Sequence, residues 1–122
     1  MIGVDIVVIE RIEKSIEKYG EKFLHRYLID EEIALIKKPQ TAAGFWAAKE
    51  AVSKALGTGI GESLHFKDIT IKKTERGAPY FLLPEEIMAR YAIRSTSLSI
   101  AHDGGFAIAV AVIEGSAAPD EV

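Results

Sequence analysis

Apolar residues change their period several times along this chain, and each change marks an element. Ile2 to Ile9 is a β-branched run broken only by Asp5, the pattern of a strand buried on both faces. From about Val8 the period becomes helical. Ile9, Ile12, Ile16 and Tyr19 fall on one face, and Gly20 ends the run. A short second helix is predicted over 23–28, with Phe23, Leu24, Tyr27 and Leu28 inward. Asp30 is placed to cap a helix over 31–38, which Pro39 stops. The longest helix is predicted from Ala42 to Leu56, with Thr41 as its N-cap and Gly57 just past its end. Alanine dominates it, at Ala42, Ala43, Ala47, Ala48, Ala51 and Ala55. Such a helix is narrow, so other elements can approach its axis, which suits a central position. Gly44 costs about 1 kcal/mol against alanine there and points to a close contact.

Beyond that helix, Ile69 and Ile71 alternate with Thr70 and Lys72, predicting a half-buried strand. Thr74 to Gly77 reads as a turn, and Tyr80 to Leu82 as the returning strand, started by Pro79. Pro84 opens a helix to about Tyr91. Ser97 to Ile113 predicts a hairpin joined by His102-Asp103-Gly104-Gly105. In its second strand Phe106, Ile108, Val110 and Val112 alternate with Ala107, Ala109 and Ala111. The alanine face is expected on the alanine-rich helix, and the large face under helices or another subunit. The fold class is therefore α+β: a small antiparallel sheet with a long central alanine-rich helix. One domain is expected over 1–114, followed by a disordered polar tail over 115–122.

Composition narrows the function. With 122 residues, 48% of them hydrophobic, the chain suits one domain with a real core. A net charge of −3 argues against a general nucleic-acid binder. The absence of cysteine excludes disulfides, thiolate metal sites and cysteine nucleophiles. No apolar run is long enough to span a membrane and the start lacks a signal-peptide pattern, so a soluble, cytoplasmic protein is expected.

Four features could carry chemistry. Asp5 lies in an apolar strand, where a carboxylate is costly unless it is hydrogen-bonded or serves a metal or catalytic site. Glu50 and Lys54 share a helix face with Trp46 one turn before, as a plain surface pair or as a functional one. Gly57, Gly59 and Gly61 form a loop that either just ends the helix or offers backbone N–H groups to phosphate. It matches neither a Walker loop nor a dinucleotide fingerprint. His102, at the hairpin end, is either solvated or in contact with a phosphate.

Three segments stand together: Gly3-Val4-Asp5-Ile6, the run from Trp46 through Lys49-Glu50 and Lys54 to Gly59, and Ser99-Ile100-Ala101-His102-Asp103. In order and spacing they resemble the holo-acyl-carrier-protein synthases, the small bacterial 4′-phosphopantetheinyl transferases, over about residues 2–113. The resemblance implies that family's fold. It also implies Mg²⁺-dependent transfer of 4′-phosphopantetheine from coenzyme A to a serine of an apo acyl carrier protein, releasing adenosine 3′,5′-bisphosphate. Asp5 and Glu50 would bind Mg²⁺, and Lys54 would stand by the phosphates. Gly57 and Gly59 would lie along the coenzyme, and His102 would hold its nucleotide. Arg11 would meet the acidic helix of the carrier. A homotrimer is implied, with active sites between subunits. Either Glu50 or a water on the metal would take the serine proton. Lys49, about 100° around the helix from Glu50, is expected to pair structurally.

The chain departs from the family pattern at two places. Phe45 stands where a basic residue is common, and Asp103 where a hydroxyl residue is usual. Glu10, Glu13 and Glu17 also offset Arg11, Lys14 and Lys18 on the first helix. These departures keep open a non-catalytic module that binds coenzyme A or a carrier.

Overall fold

The structure is a computed structural model that describes residues 1–116. Its elements are β1 (Ile2–Val8), α1 (Ile9–Tyr19), α2 (Glu21–Leu24), α3 (Asp30–Ile33), α4 (Pro39–Leu56), β2 (Thr70–Lys73), β3 (Pro79–Leu82), α5 (Glu85–Arg90), β4 (Ser95–Asp103) and β5 (Phe106–Glu114). One antiparallel sheet has the order β1-β5-β4, and β2 and β3 form a separate hairpin. The sheet wraps one side of α4, as the small-residue pattern predicts. Ala107, Ala109 and Ala111 of β5 are fully buried, as are Ala47, Ala48 and Ala51 of α4.

The register carries this face into β1. Gly3, Asp5 and Val7 pair with Ala111, Ala109 and Ala107, so all six share the helix-facing side. Gly3 makes the closest approach. A Cβ there would collide with the Ala51 carbonyl oxygen and the Ala55 nitrogen of α4. Glycine is thus required by space, not by backbone angle.

The opposite face of β1 meets no described element of its own chain. Ile2 is 69% exposed, Val4 51% and Ile6 60%. They pair with Val112, Val110 and Ile108, of which Val112 and Ile108 are also exposed. The sequence hides this alternation because both faces carry β-branched or small apolar residues. Among the described residues, no element covers the outer face.

Three helix boundaries also move. Pro39 begins α4 rather than stopping the helix before it, because its fixed φ suits the first helical turn. Lys38, forced extended ahead of the proline, becomes the N-cap in place of Thr41. The helix expected over 31–38 shrinks to Asp30–Ile33. Its N-cap is Ile29, whose N–H donates to Glu32 Oε1 at 2.9 Å, so Asp30 sits in the first turn instead of capping. The second helix is one turn long, yet Phe23, Leu24, Tyr27 and Leu28 are all buried as expected.

In the β4–β5 hairpin the turn is Gly104-Gly105 alone, with φ of 57° and 86°. Two residues at positive φ match the strand twist, so His102 and Asp103 remain in β4 opposite Ala107 and Phe106. Past β5, the Ser116 N–H donates to the Tyr91 carbonyl at 3.1 Å. The remainder of the expected tail, 117–122, lies outside the described residues.

Candidate active site

Asp5 and Glu50 come from elements far apart in sequence and open into one cavity. Asp5 projects from the middle of β1 toward α4, because the alternation that buries Gly3 and Val7 carries it to the same side. Glu50 projects from α4 one turn after Trp46. The cavity holds about 310 Å³ and is lined by Asp5, Arg11, Ser15, Phe23, Trp46 and Glu50 among others. Trp46 stacks on Phe23 with ring centroids 6.0 Å apart and planes inclined by 11°, which makes a flat aromatic wall beside the two acids.

Lys54 completes the group. Its ammonium donates to Asp5 Oδ1 at 3.0 Å and to the Val4 carbonyl at 3.3 Å. The i,i+4 pair with Glu50 expected from spacing is replaced by this contact across to β1. The Lys54 side chain stays 52% exposed and free to move, while that of Asp5 is only 15% exposed. Among the described residues, none of the ion pairs involves Glu50. Burial pushes the Glu50 carboxyl above the usual glutamate range; the nearby charge of Asp5 adds to this and Lys54 opposes it. A partly buried carboxylate with no ion-pair partner among the described residues, beside a second carboxylate, is a site for a cation.

The donor set fits Mg²⁺. That ion prefers hard oxygen ligands, accepts one or two carboxylates, and draws its other ligands from water and phosphate. Among the described residues no three His, Asp or Glu side chains gather into a closed cage, so the protein's share at this cavity is two.

Other sequence candidates fall outside the cavity. Gly57 ends α4 in the left-handed region with φ of 79°, as its position past the helix predicts. Its N–H donates to the Lys54 carbonyl, and the N–H groups of Thr58 and Gly59 both donate to the Ser53 carbonyl. These amides therefore serve the helix end, and the reading in which they point at phosphate finds no free donors at Gly57 and Gly59. His102 is exposed and lines a second cavity of about 200 Å³, with Gln40, Gly44, Phe45, Lys73 and Ile100. Within one chain it does not meet Asp5 and Glu50. Arg11 does line the first cavity, from the exposed side of α1.

Sequence reasoning missed Lys73. Its ammonium lies 5.9 Å from the Phe45 ring centroid, which returns a positive charge to the place where the family pattern has a basic residue. Nothing in the sequence signals this, because Lys73 reads as an ordinary outward residue of a short strand. Lys49 points away from both cavities and pairs with Glu32, as its angle on the helix predicts.

Comparisons with known proteins bear on the family and the fold. A profile of the 4′-phosphopantetheinyl transferase superfamily matches residues 1–111. A holo-[acyl-carrier-protein] synthase from a Nitratiruptor species is 62% identical over 113 residues, covering 93% of this chain and 97% of its own. One from a Sulfurovum species is 59% identical over 117 residues, with 96% and 98% covered. The crystal structure of Helicobacter pylori holo-[acyl-carrier-protein] synthase in complex with coenzyme A superposes with a TM-score of 0.90 at 51% identity, covering 93% of this chain and 100% of that one. Sequence, fold and the convergence of Asp5 with Glu50 thus lead to one assignment: the chain belongs to the 4′-phosphopantetheinyl transferase superfamily.

Proposed function

We propose that this protein is a holo-acyl-carrier-protein synthase, moving 4′-phosphopantetheine from coenzyme A to a serine hydroxyl of an apo acyl carrier protein. The observation that carries the proposal is the shared cavity of Asp5 and Glu50, with Lys54 bridging to Asp5 and Arg11 at its rim. Asp5 and Glu50 would hold Mg²⁺, which when bound supplies charge neutralisation on the coenzyme A pyrophosphate. The serine oxygen attacks the phosphorus next to the pantetheine arm. The bond from that phosphorus to the bridging oxygen breaks, and adenosine 3′,5′-bisphosphate leaves with the electron pair. Either Glu50 or a water on the metal would take the serine proton. Lys54, exposed and flexible, turns from Asp5 to the departing phosphate and stabilises its new charge. His102 and Lys73, around Phe45, provide a cationic and aromatic surface suited to the nucleotide end of coenzyme A. The role of Gly57 and Gly59 is then to end α4 beside Lys54 at the positive φ that glycine adopts freely.

The test is direct. Incubation with coenzyme A, Mg²⁺ and apo carrier is expected to raise the carrier's mass by one phosphopantetheine arm. A carrier of unchanged mass, across several carriers, would defeat the proposal.

Arg11 is assigned to the carrier surface. Arg11→Ala is expected to raise the carrier KM several-fold at low salt and less at high salt, with kcat little changed, because exposed charge attraction is screened. An unchanged KM would place the carrier elsewhere.

The outer face of the β1-β5-β4 sheet is proposed as the contact between three copies. It presents Ile2, Val4, Ile6, Phe106, Ile108 and Val112 to solvent in a single chain, a contiguous apolar patch of the kind that marks an interaction surface. Association would also bring the His102 cavity of one copy near the Asp5 cavity of the next. Ile108→Glu is expected to shift the sedimenting species from trimer to monomer and to remove activity with it. A trimer that survives the charge would move the interface off this face.

A further inference from the structure

The proposed reaction makes no use of the most deeply buried charges in the chain. Glu32 and Lys49 are both 0% exposed, and with Ser53 they are the buried polar side chains of the core. Lys49 commits all three of its donors: to the Tyr27 carbonyl at 2.7 Å, to Glu32 Oε1 at 2.8 Å and to the Phe66 carbonyl at 3.0 Å. Glu32 accepts in turn from the Ile29 N–H at 2.9 Å and, through its other oxygen, from the Ile71 N–H at 2.8 Å. One ion pair therefore ties α4 to the α2–α3 connection, to the turn at Phe66 and to β2.

Stability alone does not account for such a pair. Desolvation offsets most of the attraction between buried charges, and well-packed apolar replacements are often neutral or better. What a pair of this kind does supply is position. The rest of α4 is poor at supplying it, because the surface it presents to the sheet is mostly alanine, and small side chains resist rotation or sliding only weakly. Lys49 grips the helix from one side at a fixed angle. The close approach of Gly3 to Ala51 and Ala55 grips it from the other. Glu50 lies between these two grips in sequence, and none of the ion pairs among the described residues steers its carboxylate.

We infer that the buried Lys49–Glu32 pair is a positioning device that fixes the rotation of α4, and through it the placement of Glu50 opposite Asp5. The inference rests on the reading of Asp5 and Glu50 as metal ligands. The test uses the double variant Glu32→Leu/Lys49→Met, which removes both charges and leaves no buried charge unpaired. Mn²⁺ binding is measured by electron paramagnetic resonance with coenzyme A present and no carrier, so no turnover intervenes. Affinity is expected to fall about tenfold or more, the scale on which supporting groups around a metal act. Leu64→Ala, a core truncation outside the Lys49–Glu32 hydrogen-bond network, is the control: it lowers the melting temperature and leaves Mn²⁺ affinity unchanged. If the double variant binds Mn²⁺ like the parent, or Leu64→Ala weakens binding equally, the inference is overturned while the metal reading stands. If the parent itself fails to bind Mn²⁺, the metal reading falls and takes the inference with it. Should the double variant not fold, Glu32→Gln/Lys49→Gln, which also leaves no buried charge unpaired, carries the same measurement. Weaker Mn²⁺ binding then supports the inference and parental binding overturns it.

Discussion

Glu50→Gln is expected to lower phosphopantetheine transfer by at least about a hundredfold while the fold persists, the scale seen when one preorganised electrostatic group is removed from an active site. The amide has the shape of the acid but not its charge, so the variant would lose the metal ligand proposed at this position. Folding should not suffer. Glu50 is only partly buried, and its carboxyl is held above its usual range by burial and by Asp5. The folded chain therefore binds this proton more tightly than the unfolded chain does. The ionised side chain costs stability, and that cost appears as pH rises from the ordinary glutamate value through the raised one. Glutamine removes the cost, so the variant should melt at or slightly above the parent at neutral pH. Carrier mass gain and thermal melts followed by circular dichroism read the two halves. Near-parental turnover would make Glu50 structural and would leave the two-acid site without a function.

Gly3→Ala is expected to be the most damaging small substitution in the chain. The added methyl has no room, because the Ala51 carbonyl oxygen and the Ala55 nitrogen already occupy its place. Both are main-chain atoms of a helix and cannot turn aside as a flexible side chain would. Either β1 lifts off α4 or the helix shifts, and overpacking on that scale costs about 3 kcal/mol or more. A domain with a total stability of about 5–15 kcal/mol would lose a large fraction of it. Asp5, two residues along the same strand and on the same face, would move with β1. Chemical denaturation should show the lost stability, and folded material should show weakened Mn²⁺ binding. A variant as stable as the parent would mean that β1 and α4 are less tightly apposed than described. By contrast, Gly44→Ala meets one side-chain methyl, Ile100 Cγ2 at 2.9 Å, rather than helix backbone and should be milder.

Legibility differs between parts of the molecule. The alternation in Phe106 to Val112 is enough to assign the hairpin and to aim its alanine face at α4. The run Ile2 to Ile9 does not tell what covers its second face, because a strand with apolar residues on both sides looks the same whether that face meets a helix, a partner or solvent. Pro39 reads wrongly as a stop, since proline both ends and begins helices and only the chain after it distinguishes the two. Glu50 and Lys54 do share a helix face, as their spacing requires. That Lys54 turns to Asp5, and that Lys49 finds Glu32 across the core, requires three dimensions. The amides of Gly57 and Gly59 look available for phosphate from their residue types, yet the helix end claims them.

The residues themselves settled what periodicity and side-chain size control: the order of elements, the central alanine helix and the glycine needed for close packing. Those are local properties, or patterns that repeat along the chain. Tertiary structure decided which groups meet. The strand register put Asp5 on the helix side, the rotation of α4 turned Glu50 toward it, and the lack of a covering element among the described residues left one sheet face bare. Such outcomes follow from contacts between residues far apart in sequence, and pairings of that kind leave no local trace.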